Sequence, residues 1–271
     1  MDELARIAAA LERLAPPPRP VMAKTGHWFV WDGAGLNPVP PPRTTPLTLY
    51  RGVEAQAAAL QENARRHALG LPAHDVLLWG ARGMGKSSLV RSVHASLLAL
   101  GLDALLVQVA LPDLSSLPRL FAGLAAVPRP AMVFLDDVSL GGDAPQVHAL
   151  RSLLDGGIMA RPTSVRLAVT SNRRQLVPRS LADNDVDPTN PRDVMDDQLA
   201  LADRFGLRLG FHACDQATYL AICSAYAMAF GLAFDESLAL AWAVGRGARS
   251  GRVAWQFIVD AAGAQGVRLP G

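Results

Sequence analysis

Residues 80–87 read Gly80-Ala81-Arg82-Gly83-Met84-Gly85-Lys86-Ser87. This is the full phosphate-loop spacing, two glycines flanking four residues and then a lysine and a hydroxyl. An apolar run, 75–79, precedes it, and an amphipathic stretch, 86–100, follows. A strand, a glycine-rich turn and a helix in that order give the pattern its physical meaning. The glycines let successive backbone N–H groups face phosphate oxygens with no Cβ in the way, and the helix start adds its positive dipole end. The expected binding residues are Gly80, Arg82, Gly83, Met84, Gly85, Lys86, Ser87 and Ser88. Lys86 reaches the β and γ phosphates of a nucleotide, and the Ser87 hydroxyl is offered to Mg²⁺. The chain uses arginine almost throughout, and its only lysines are Lys24 and Lys86.

Outward from the loop, short apolar runs alternate with helical patterns. Strands are predicted over 75–79, 104–110, 131–135, 165–170 and 207–211. Helices are predicted over 53–69, 86–100, 118–125 and 147–154. This alternation predicts an α/β fold, a parallel sheet covered on both faces. After His212 the strands stop, and 216–230, 236–244 and 252–262 read as three helices between glycine-containing turns. They form an expected small C-terminal helical domain.

The run Met132-Val133-Phe134-Leu135-Asp136-Asp137 reads as an apolar strand ending in two carboxylates. Beside a phosphate loop, Asp136 is the expected Mg²⁺ holder, with Ser87. Asp137 is the expected group that orients the attacking water.

Taken together, the chain from about residue 50 onward resembles the AAA+ superfamily of oligomeric ATPases. Ala168-Val169-Thr170-Ser171-Asn172 is similar to the sensor 1 segment, which implies that Asn172 contacts the γ-phosphate or the water. Leu201-Ala202-Asp203-Arg204-Phe205-Gly206 is similar to the segment carrying an arginine finger. It implies that Arg204 acts on nucleotide held by a neighbouring subunit. Gly247-Ala248-Arg249-Ser250-Gly251-Arg252 resembles the sensor 2 region of a helical lid, with Arg252 the first choice and Arg249 the second. Arg51-Gly52-Val53-Glu54 and the motifs above also resemble a bacterial AAA-type family catalogued as a domain of unknown function. One departure stands out: the second acid of the pair is usually Glu, and Asp137 is a methylene shorter. Slow basal hydrolysis, or a switch that mostly binds ATP, is the consequence expected.

The remaining sequence bounds the function. Of 271 residues, half are hydrophobic, and the net charge is only +2. A near-neutral chain carries no field that argues for nucleic acid or an anionic membrane. Cys214 and Cys223 are too few and too ill-spaced for a disulfide framework or a metal site. Asp2, Glu3 and Glu12 do not suit a signal peptide, and no apolar run spans a bilayer. A cytoplasmic location is expected.

Leu4, Ile7, Ala8, Leu11 and Leu14 suggest an N-terminal amphipathic helix. Trp28, Phe29 and Trp31 form an aromatic cluster expected to brace the main domain, and Pro38, Pro40, Pro41 and Pro42 a stiff linker. The expected division is residues 1–45 for these parts, 46–212 for the α/β ATPase domain and 213–271 for the lid. Asp183, Asp185, Asp187, Asp193, Asp196 and Asp197 read as a solvated loop and helix start. The six histidines show no ligand spacing.

The expected activity is ATP hydrolysis with Mg²⁺, driving movement or the remodelling or loading of a protein partner. The expected assembly is a homo-oligomer, a ring or a helix, because a finger supplied in trans needs a head-to-tail contact. A phosphate-loop kinase is one alternative. The other is a non-hydrolysing ATP-dependent scaffold or loader acting on DNA or a DNA-bound protein.

Overall fold

The computed structural model describes residues 6, 25–138, 150, 154, 161–172 and 201–269. The predicted helix near the N-terminus, the predicted helix over 147–154 and the aspartate-rich loop fall largely or wholly outside them.

Seven strands form one sheet: β1 (Trp28–Trp31), β2 (Leu36–Pro38), β3 (Val76–Gly80), β4 (Leu105–Val109), β5 (Ala131–Leu135), β6 (Val165–Ser171) and β7 (Leu207–Phe211). Their order is β2-β1-β4-β5-β6-β3-β7, and every neighbouring pair is parallel except β1 with β2. The described helices are α1 (Glu54–Ala68), α2 (Lys86–Ala99), α3 (Leu117–Ala125), α4 (Gln216–Phe230), α5 (Glu236–Gly245) and α6 (Gly251–Ala264).

The central strands are apolar on both faces because both faces are covered. Val76 and Leu78 of β3, Met132 and Phe134 of β5 and Ala168 of β6 pack with α1, α2 and the C-terminal helices. Their strand neighbours Leu77, Val133, Leu135, Leu167 and Val169 pack on the other face against Leu117, Leu120, Phe121 and Leu124 of α3. Each fully buried aliphatic side chain contributes about 1.5–3 kcal/mol.

The aromatic cluster is itself a strand of this sheet. Residues 28–31 pair in parallel with β4, so the proline-rich stretch begins within β2, at Pro38, and follows elements that already belong to the sheet. Trp28 sits edge-on to His94 of α2, 4.5 Å between ring centres. Trp31, alternating to the other face, donates its indole N–H to Ser116 Oγ at 2.6 Å. No strand was foreseen there, because three aromatics in four residues read equally well as a loop that packs. The outer strand β2 is three residues long and ends in a proline, which leaves a short, poorly pairing edge.

Polar caps start the last three helices. Asp215 accepts from Thr218 N, Asp235 from Ser237 N, and Ser250 from Val253 N. By contrast, α2 begins at Gly85 with no side-chain cap. Its first N–H groups are left to whatever lies in front of them.

Among the described residues no helix is long and apolar enough to cross a membrane. Cys214 and Cys223 are buried free thiols, and burial pushes both up to about 11.

Candidate active site at the carboxyl end of the sheet

Chain order reverses around β3: the chain leaves it for β4, with β6 and β5 lying between the two. In open α/β sheets ligands bind at such a point, beyond the carboxyl ends of the strands. Residues 80–87 occupy it.

Two glycines there are fixed by close approach. A Cβ on Gly80 would lie 2.1 Å from the carbonyl oxygen of Phe211, and Gly80 has φ +119°. The end of β7 is that near because Ala81 N donates to the same oxygen at 2.7 Å. Gly83, at φ +76°, has Ser250 against it, with Oγ 2.8 Å from a Cβ position. Its own carbonyl accepts from Arg252 N at 3.0 Å. The loop is thereby joined to the start of α6.

The Lys86 side chain is buried and donates to Gly80 O and Ala81 O, both at 2.8 Å, and to Asn172 Oδ1 at 3.0 Å. Burial pushes its ammonium pKa down; the Asp137 and Asp136 carboxylates oppose the shift. Ser87 donates its hydroxyl to Asp136 Oδ1 at 2.5 Å. Asn172 Nδ2 donates to Asp137 Oδ1, and the Arg82 guanidinium stands 3.9 Å from Asp137 Oδ2, both exposed.

A cleft of about 930 Å³ opens over these groups. Gly83, Met84, Gly85, Lys86, Ser87, Ser88, Asp136, Asp137, Asn172 and Arg252 all line it. Gly80 and Arg82 belong to the loop but not to the cleft wall. Arg249 is exposed on the turn before α6, outside the lining. Arg204 is also exposed, just ahead of β7, where Leu207 N donates to Asp75 O at the amino end of β3. A strand of five residues, roughly 16 Å at 3.3 Å per residue, separates it from the carboxyl edge. The same chain therefore does not bring Arg204 to its own phosphate loop.

Sequence reasoning missed two parts of the site. The far end of the cleft is walled by Ile222, Tyr226, Phe230 and Trp255 from α4 and α6, and by the segment from Arg43 to Val53. The Arg43 guanidinium lies over the Trp255 ring, 4.2 Å from its centre. No local signal marked this wall, because its parts are about 170–210 residues apart in the chain. The other is Thr170, which donates to Asp136 Oδ1 at 2.6 Å and accepts from Asp137 N at 2.8 Å. A hydroxyl directly after the buried apolar run Leu167-Ala168-Val169 was the available signal.

The hard-oxygen set of Ser87 and Asp136 suits Mg²⁺, which takes one or two protein ligands and completes its shell with phosphate and water. No cluster of three or more His, Cys, Asp or Glu side chains that could hold a metal ion occurs among the described residues.

A family model described as a protein of unknown function, DUF815, matches residues 24–265. The chain belongs to the DUF815 family. No curated protein matches the sequence. Among solved structures, a variant of Thermotoga maritima RuvB aligns with a TM-score of 0.50 and 16% identity, covering 82% of this chain and 66% of that one. A second RuvB variant from that organism gives 0.51 and 17%, covering 83% and 69%. The DUF815 chain thus spans about two thirds of the length of these RuvB chains. At such identities the likeness speaks for the fold: this DUF815 protein has the AAA+ P-loop α/β fold.

Proposed function

We propose that this DUF815 protein binds ATP with Mg²⁺ and hydrolyses it slowly on its own and faster in a head-to-tail oligomer. The observation that carries the reading is the convergence at one uncapped helix start. The Lys86 ammonium, the Ser87–Asp136 pair and the Asn172–Asp137 pair all meet there.

Each residue has a physical task in this reading. Lys86 exchanges the Gly80 and Ala81 carbonyls for phosphate oxygens. The free N–H groups at the start of α2 take the same anion. Ser87 and Asp136 would hold Mg²⁺, which neutralises charge on the β and γ phosphates. Asp137 orients the water, and Asn172 fixes Asp137 while facing the γ-phosphate. Arg252 brings a cation from α6 to the cleft. The aromatic wall receives the base.

Arg204 is inferred to act on the neighbouring subunit. Its position at the amino end of the sheet supports that reading, since its own cleft is out of reach. An inserted guanidinium is worth roughly 10³–10⁵ in rate where measured. The proposed division keeps 213–271 as a lid: α4 and α6 line the cleft, and Arg252 N holds the loop at Gly83 O. Nucleotide state would then move the lid, and through it a protein partner.

Sedimentation with parallel phosphate release, with and without Mg·ATP, tests this. Assembly on ATP, with Lys86→Ala losing nucleotide and Arg204→Ala binding it without turnover, is the expected result. A monomeric wild type whose turnover Arg204→Ala leaves unchanged would refute the shared site. Transfer of phosphate to an added acceptor would instead favour a kinase.

A further inference from the structure

We propose that Thr170 is the positioning residue that aims both carboxylates of the acidic pair, and that its hydroxyl, not its bulk, does so. The inference rests on the nucleotide reading above.

Strand register sets it up. Leu135 of β5 is opposite Val169 of β6, so Asp136 and Thr170 are the next pair along. Alternation puts Phe134 and Asp136 on the face of α2, with Ala168, Thr170 and Asn172 on the same face of β6. Plain alternation would send Asp137 to the opposite face, away from the phosphate loop. It does not go there. Asp137 has φ +57°, the only positive φ outside glycine among the described residues. That left-handed residue returns its carboxylate to Asn172. Asp is one of the few L-residues that tolerate this region, and the turn that uses it is tied to the neighbouring strand.

Thr170 holds it. Three consecutive residues bond to this one: Asp136 accepts from its hydroxyl, Asp137 N donates to the same hydroxyl oxygen, and Val138 N donates to its carbonyl at 2.8 Å. The side chain is 1% exposed, so water does not substitute for it. The Val138 bond is backbone to backbone and survives loss of the hydroxyl. The other two act only on the acids: one fixes the rotamer of the Mg²⁺-holding carboxylate, the other the backbone that lifts Asp137. A shorter Asp in the water-orienting place has its reach set by this turn.

The test compares Thr170→Val, which keeps the shape, with Thr170→Ser, which keeps the hydroxyl. The readouts are affinity for a fluorescent ATP analogue in EDTA and in Mg²⁺, with kcat and KM alongside. Groups that orient a metal ligand are worth roughly 10- to 100-fold when removed. The expected result is that Thr170→Val binds the Mg²⁺-free analogue within about two-fold of wild type. It loses roughly 10- to 100-fold of the Mg²⁺-dependent gain and of kcat, with KM little changed. Thr170→Ser stays within about three-fold of wild type in all of these.

An undiminished Mg²⁺ gain in Thr170→Val overturns the proposal, as does a Thr170→Ser loss equal to that of valine. A wild type whose affinity ignores Mg²⁺ overturns it too, by removing the site Thr170 would serve. A wild type that binds no analogue in either condition instead refutes the nucleotide reading and takes this one with it. The affinity readout holds whether or not the protein turns over.

Discussion

Gly83→Ala tests how the phosphate loop is tied to the C-terminal helices. Gly83 has φ +76°, and an added Cβ would lie 2.8 Å from Ser250 Oγ and 3.0 Å from Ser250 Cβ. The left-handed backbone costs an L-residue roughly 1–2 kcal/mol. Ser250 cannot withdraw cheaply, because its hydroxyl caps α6 through Val253 N at 3.2 Å and the residue is buried. Overlap of this kind costs about 1–3 kcal/mol, so the substitution should destabilise by about 2–5 kcal/mol. The second step separates the two causes. Ser250→Gly in the same chain removes both clashing atoms and, as a cap change, costs only about a few tenths of a kcal/mol. The double variant should regain about 1–3 kcal/mol and keep the backbone cost. Urea unfolding measures all three proteins, with ATP affinity in parallel, since strain in this loop falls on the N–H groups that would face phosphate. A neutral Gly83→Ala, or a double variant no more stable than the single, would refute the reasoning.

Arg252→Ala should weaken ATP binding by roughly ten-fold or more, as loss of a charged hydrogen bond does, while Arg249→Ala stays near wild type; titration with a fluorescent analogue reads both. His94 is buried, donates to His27 O at 3.1 Å, and is pushed down to about 4 by burial. Its neutral form is thus native, and the unfolded chain takes up the proton first, near 6.5. Stability present above that pH is lost as pH falls towards 4, by about 3 kcal/mol from this group. Urea midpoints at pH 7.5 and 4.5 check the slope, and His94→Gln should flatten it. His67, buried and also pushed down, adds in the same direction. Cys214 and Cys223, with thiols raised to about 11, should resist a thiol reagent in the native protein and react on unfolding; fast native labelling would contradict their burial.

Much of the core was legible because its signals are local. The glycine spacing at 80–87, the apolar runs and the acids ending 132–137 each state their own backbone needs within a few residues. The predicted strands of the central sheet fall within about one residue of β3 to β7. The first strand was not legible, since residues 28–31 join the main sheet by pairing with β4, more than 70 residues on, and their local partner β2 is only three residues long. Thr170 was quoted within its segment yet given no role, because its partners are 33 and 34 residues away.

By itself the sequence determined that a phosphate loop joins a buried strand to a helix, that two carboxylates end a second strand, and that a parallel sheet carries both. These follow from side-chain volume, hydrophobic period and glycine's freedom, which act along the chain. Tertiary structure alone decided which residues meet. It put Arg252 in the cleft and Arg249 outside it, held Arg204 a strand's length from its own phosphate loop, turned Asp137 back to Asn172, and brought α4 and α6 over the loop as an aromatic wall. Those outcomes depend on register and on packing across the sheet, where a shift of one residue reverses a side chain's face.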